Sequence, residues 1–323
     1  MTDLSPAPKS ARLPLIDAAR GIAIIAMAIY HFSWDLRFYG FIAADVGAEL
    51  GWRVFARSIA GAFLFLVGVG LALAARRSMD WRRYGRRLAL IAASAAAITA
   101  VTWFVFPEEY IFFGILHCIA VSSIVALPFL RLPVAVVLVA AAASLAAPHV
   151  LASPVFDQSW LQWLGLMTYF PRTNDYVPLF PWLGAVLLGI AAARLLARRQ
   201  EVVPAVAGRH ASGPVRWLAW TGRRSLPIYL IHQPVLFGLV ALAAWAMPPG
   251  RAAREAGFLD SCQVYCEGES LGEAVCRSAC GCLAGRAKAA GIWGRVLSNR
   301  LDPNGVEQYR GMAQECRAAA VSP

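Results

Sequence analysis

Charge is what this sequence has least of. Only 15% of its 323 residues are Asp, Glu, Lys or Arg, 59% are hydrophobic, and the mean hydropathy is +0.56, whereas a soluble domain carries about a quarter charged residues. That scarcity excludes an ordinary water-soluble globular protein and makes the lipid bilayer the chain's main partner. Acid is scarcer still, 19 Asp and Glu against 30 Lys and Arg, for a net charge of +11. The arginines nevertheless fall in short clusters between apolar runs, not in the basic stripe on a folded surface that nucleic-acid binding needs, so no nucleic-acid partner is expected. Cysteine is nearly absent from the first 250 residues, where Cys118 stands alone; the other six of the seven lie in the tail. A signal peptide is also not expected, because Met1 to Arg12 is a short polar, Pro-containing segment and the apolar run from Leu13 is long enough to remain as a span. No clear internal repeat occurs either, which counts against a transporter or flippase.

What is present is a series of long apolar runs. A hydrocarbon core of about 30 Å takes roughly 20 helical residues. Seven segments meet that need: Leu13 to Phe32, Val54 to Ala75, Leu88 to Phe106, Tyr110 to Leu130, Pro133 to Ala152, Val177 to Leu196 and Ser225 to Met247. The expected fold is all-α, a polytopic transmembrane bundle of about seven spans. It divides into a cytoplasmic N-terminus (1–12), a transmembrane region (13–248) and a small Cys-rich helical tail (249–323). Arginine clusters orient it. Arg76 to Arg87 contains six arginines and Arg194 to Arg224 seven, which puts both segments and the N-terminus, with Lys9 and Arg12, in the cytoplasm. The acidic connections, Glu108-Glu109 and Asp157 to Asp175, then fall outside together with the tail, so the chain reads as a multi-pass membrane protein with its N-terminus inside and its tail outside.

The tail cysteines agree with that sidedness. Cys262, Cys266, Cys276, Cys280, Cys282 and Cys316 are even in number, as expected of disulfides in an oxidising compartment. Positions i and i+4 share a helix face, so two short helices joined around Gly268 to Gly272 can be stapled Cys262 to Cys280 and Cys266 to Cys276, leaving Cys282 for Cys316. Six cysteines allow fifteen pairings, and the same spacings also suit a zinc or iron-sulfur site; the disulfide reading, with no metal, is the one adopted.

Ionisable groups inside spans cost on the order of 2.5–3.5 kcal/mol each, which makes each one a candidate site residue. The first span carries Asp17, Arg20 and His31. Arg20 and His31 are eleven positions apart, about three turns, and so share a face roughly 16 Å apart along the axis. Asp17 precedes Arg20 by three positions and can pair with it. A guanidinium grips phosphate in bidentate fashion, while an imidazole takes a proton from an attacking amine or hydroxyl, or carries the acyl group itself. Asp35, one turn after His31, is placed to orient that imidazole, or else is solvated in the loop. The competing reading has Arg20 and His31 reaching to the two headgroup layers. Arg53 and Arg57, one turn apart, are candidates for an anionic acceptor on the outer side, or simple interfacial anchors. His117, Tyr229, His232 and Gln233 are candidate cavity-lining residues, the last three beside Pro234, which frees the Leu230 carbonyl. The glycines of spans two and six, Gly61, Gly68, Gly70, Gly184 and Gly189, suit close helix packing.

Four motifs occur in order: Leu15-Ile-Asp-Ala-Ala-Arg-Gly-Ile-Ala-Ile-Ile-Ala-Met-Ala-Ile-Tyr-His31, Phe113-Gly-Ile-Leu-His117, Phe180-Pro-Trp-Leu-Gly184 and Ser225-Leu-Pro-Ile-Tyr-Leu-Ile-His-Gln-Pro234. Together they resemble the bacterial branch of the heparan-alpha-glucosaminide N-acetyltransferase catalytic domain family, from about Leu13 to Leu242. The Arg-x10-His spacing and the closing Tyr-Leu-Ile-His-Gln-Pro are also similar to membrane O-acyltransferases that decorate bacterial surface glycans. The resemblance implies transfer of an acyl group, usually acetyl from cytoplasmic acetyl-CoA, to a carbohydrate amine or hydroxyl on the far side of the membrane, with a glycan or glycolipid as acceptor. It further implies that Arg20 helps bind the donor and that His31 is the catalytic histidine.

Overall fold

The computed structural model describes residues 14–42, 44–47, 49–76, 78–197, 213–247, 250–268, 271–297 and 300–321. The expectations for the N-terminal segment 1–12 and for Arg77, Arg198, Arg199 and Arg209 lie outside them. The described residues are mostly helical, without strands. In chain order the helices are α1 (Pro14–Phe38), α2 (Leu50–Arg76), α3 (Trp81–Val105), α4 (Ile115–Val125), α5 (Val134–Val150), α6 (Leu179–Leu196), α7 (Gly213–Arg223), α8 (Ser225–Ala246), α9 (Arg251–Gly268), α10 (Glu273–Ala289), α11 (Trp293–Leu297) and α12 (Pro303–Val321). Five of them, α1, α2, α3, α6 and α8, are long and apolar enough to cross a membrane, while α4 and α5 are apolar but shorter.

The fourth span departs from expectation for a specific reason. Its apolar run begins at Tyr110, but the helix begins only at Ile115 and has 11 residues, about 16 Å of rise. The stretch before it is extended and takes its backbone partners from the protein. Thr99 donates its hydroxyl to the Ile111 carbonyl at 2.7 Å, and the Ile111 N–H donates to Thr102 Oγ1 at 3.0 Å. The Val177 N–H donates to the Phe113 carbonyl at 3.1 Å. Asp175 Oδ2 accepts from the Ile115 N–H at 3.0 Å and so caps α4. Non-helical backbone at such depth is stable only where protein supplies these bonds. Hydropathy registers the apolar side chains but not the replacement of helix hydrogen bonds by threonines and a neighbouring loop.

The chain forms two compact bodies. The first holds the described residues of Met1–Met27 and Ala56–Ile231; the second holds those of Ala28–Phe55 and His232–Pro323. In the first body, Leu64, Val67 and Leu71 of α2, Leu116 and Ile119 of α4, Val137 and Ala141 of α5, and Val186, Leu187 and Ile190 of α6 form the core. Two glycines set the α2–α6 spacing. A Cβ on Gly68 would lie 1.9 Å from the Val186 carbonyl oxygen, and one on Gly189 would lie 2.1 Å from that of Phe65. The helices therefore touch backbone to backbone, as small residues permit in membranes. α1 and α7 meet in the same way through Gly21 and Gly222. α7 carries exposed Trp217 and Trp220, with the Arg224 guanidinium stacked 4.3 Å over the Trp220 ring. That composition suits a headgroup-level helix.

In the second body the tail is stapled as the cysteine spacing suggested. Cys262 is bonded to Cys280, Cys266 to Cys276, and Cys282 to Cys316. These bonds tie α9 to α10 and α10 to α12 around a small core that includes Ala279, Leu283, Ala287 and Ile292. So few apolar groups cannot hold three short helices unaided, and cross-links supply what the core lacks.

Candidate functional site

Each body contributes its own polar centre. In the first, Arg20 sits on the inward face of α1 and donates from Nη1 to Asp17 Oδ1 at 3.3 Å, the pairing expected from the i, i+3 spacing. Room for the guanidinium comes from α2, where a Cβ on Gly70 would lie 3.1 Å from Arg20 Nη2.

Arg20 also lines a cavity of about 450 Å³ whose wall includes Arg83, Arg86, Arg87 and Arg223. The remainder is largely apolar, with Ile24, Phe63, Leu90, Ile91, Leu116, Leu226 and Tyr229, and no carboxylate lines it. Charge at one part of the wall and hydrocarbon along the rest match a ligand with an anionic head and an uncharged arm. Tyr229 lines this cavity, as expected of a cavity residue. By their charge alone Arg83, Arg86, Arg87 and Arg223 mark only sidedness. The signal that they do more was their spacing: on α3, Arg83, Arg86 and Arg87 are i, i+3 and i+4, in register with Leu90 and Ile91.

His117 also belongs to the first body, but its ring is occupied. Nδ1 accepts from the Gly114 N–H at 3.2 Å. Nε2 lies 3.2 Å from Thr99 Oγ1, whose own proton goes to the Ile111 carbonyl, so the imidazole must donate from Nε2. Both nitrogens are thus committed to holding the start of α4, a structural role beyond the one expected from the sequence. In the adjoining loop, burial pushes the Asp175 carboxyl up to about 6, against the opposing pull of the Ile115 N–H.

The second centre is built on the far part of α1. The rings of His31 and His232 are 5.0 Å apart, centroid to centroid, inclined at 63°. Gln233 Nε2 donates to Asp35 Oδ1 at 2.8 Å. Asp35 is fully buried, and its Oδ2 has no hydrogen-bond partner among the described residues. The expectation that Asp35 orients His31 is therefore corrected: its bond goes to Gln233, and the group facing His31 is a second imidazole. His232 and Gln233, grouped with Tyr229 in the sequence reading, belong to this histidine centre. Two hundred positions separate His31 from His232, and nothing in either sequence neighbourhood pairs them. Arg53 and Arg57 are exposed on the first turns of α2.

Beyond Asp35, Arg37 anchors the tail. It donates from Nη2 to Asp45 Oδ2 at 3.2 Å, from Nη1 to the Gly257 carbonyl at 3.2 Å, and to the Ser261 hydroxyl. Nearby, burial and the charges of Asp45 and Glu49 push the Asp260 carboxyl up, while Arg37 pulls it down.

No curated protein and no solved structure matches the chain. A family model does match, that of heparan-alpha-glucosaminide N-acetyltransferase, catalytic, over residues 12–234, a span that covers the Arg20 cavity, the His31 and His232 pair and all four motifs. The chain therefore belongs to the heparan-alpha-glucosaminide N-acetyltransferase catalytic family.

Proposed function

We propose that the protein is a bacterial inner-membrane acetyltransferase that moves an acetyl group from cytoplasmic acetyl-CoA to an amine or hydroxyl of a carbohydrate on the outer side. The observation that carries this reading is the arrangement along α1. One uninterrupted helix bears Arg20, in a cavity with five arginines and an apolar wall, and eleven residues later His31, paired with His232. Family membership supports acetyl transfer. The arginine wall suits the phosphates of CoA, and its apolar part suits the pantetheine arm.

His31 acts as the base. Its imidazole takes the acceptor proton as the acceptor N or O attacks the thioester carbonyl. The new C–N or C–O bond forms, the C–S bond breaks, and the imidazolium returns the proton to the CoA thiolate. His232 faces His31 across the centre, ring to ring. Asp17 positions Arg20, and Gln233 positions Asp35. Both arginine clusters would face the cytoplasm and the disulfide-bonded tail the periplasm.

The test is transfer of labelled acetyl from acetyl-CoA to an amino-sugar acceptor in proteoliposomes. His31→Ala is expected to insert normally and to lose at least about a hundredfold in rate, the usual contribution of a positioned base. Unchanged transfer overturns the proposal.

A further inference from the structure

A second basic cavity, of about 620 Å³, lies in the first body and shares no residue with the first. Its cationic groups are Arg76 at the end of α2, Arg131 in the turn before α5, and Arg194 near the end of α6. Arg194 is held in place by donating to the Phe129 and Leu132 carbonyls. Arg76 and Arg131 are exposed and have no carboxylate partner among the described residues. No acidic side chain lines the cavity, and most of the other lining groups are apolar, Leu127, Pro128 and Trp81 among them. Trp81 is 58% exposed at the first residue of α3, where an indole marks headgroup depth.

From these features we infer that the cavity binds the phosphodiester headgroup of an anionic phospholipid. Three guanidinium groups on one cavity wall, with no carboxylate among its lining residues, favour an anion there. A soluble phosphate would satisfy them but would leave the apolar wall and the exposed indole wet, whereas a lipid brings glycerol and acyl carbons to cover both. Basic pockets between helices at the cytoplasmic headgroup level take anionic lipids by this chemistry. The inference does not depend on the acetyl-transfer reading.

The experiment is thermal unfolding of the purified full chain in a neutral detergent, titrated in parallel with phosphatidylglycerol, phosphatidylcholine and inorganic phosphate. Phosphatidylglycerol is expected to raise the midpoint in a saturable manner, and the other two to leave it nearly unchanged. The double variant Arg76→Gln, Arg131→Gln is expected to keep its lipid-free midpoint and lose the increment. Equal stabilisation by phosphatidylcholine, or by inorganic phosphate, overturns the assignment to an anionic lipid. So does an undiminished response of the double variant. Should the double variant unfold early, Arg131→Gln alone gives the same comparison.

Discussion

At the residue scale, two glycines two positions apart on α2 should fail in different ways. A Cβ on Gly70 would press on the end of the Arg20 side chain at 3.1 Å, which can move. Gly70→Ala is therefore expected to raise the KM for acetyl-CoA about tenfold, roughly the loss of one charge-assisted hydrogen bond, with little change in the thermal midpoint. A Cβ on Gly68 would meet the Val186 carbonyl oxygen at 1.9 Å, and backbone cannot step aside. Gly68→Ala should cost about 1–3 kcal/mol of stability, read as a lower midpoint in detergent. Legibility at this scale followed sequence distance. The Asp17–Arg20 pair was readable because three positions on one helix fix it. The contact of His31 with His232 was not, since it depends on how α8 returns to α1. The partners of His117 were not legible either, because an intramembrane histidine advertises its cost but not its neighbours, here Thr99 and Gly114.

At the element scale, α4 and its cap make a separable prediction. The Asp175 carboxyl is pushed up to about 6 by burial, above its ordinary value, so the folded state binds that proton more tightly than the unfolded chain does. The stability this contributes is present below the unfolded value and is lost as pH rises through about 6. Asp175→Asn, which keeps an oxygen for the Ile115 N–H, should flatten that decline. Unfolding midpoints between pH 4 and 7 for the two proteins check it, and parallel curves would remove the attribution to Asp175. The same region shows why span boundaries were only partly legible. The five long helices follow from hydropathy and length, but the start of α4 is decided by Thr99, Thr102 and Asp175, whose competing hydrogen bonds leave no trace in apolar periodicity. Likewise Arg83, Arg86 and Arg87 advertised membrane sidedness so strongly that their shared helix face was passed over.

At the scale of the whole molecule, the tail was legible in part: the i, i+4 cysteines suggest the stapling that the structure has, as one of fifteen possible pairings and beside a metal site. Each bond closes a loop of 10 to 34 residues, worth about 3–4 kcal/mol by chain entropy, on a core too small to hold by itself. Replacing both Cys282 and Cys316 by Ser should therefore leave the spans inserted and open the tail near α12 to limited proteolysis. The cleavage pattern by mass spectrometry is the measurement, and a tail as resistant as the parent would contradict this account. Addition of a membrane-impermeant reductant from the outer side should produce the same sensitivity.

The anchor at Arg37 also has a temporal side. Its carboxylate partner, Asp45, is eight positions away, but the Gly257 carbonyl and the Ser261 hydroxyl are 220 and 224 positions downstream. During synthesis the ribosome delivers the guanidinium long before most of its partners. The end of α1 that carries His31 and Asp35 thus waits, incompletely fastened, until α9 has been made. A nascent chain halted after α8 would hold every helix of the family region and still lack the clasp on the one that carries His31.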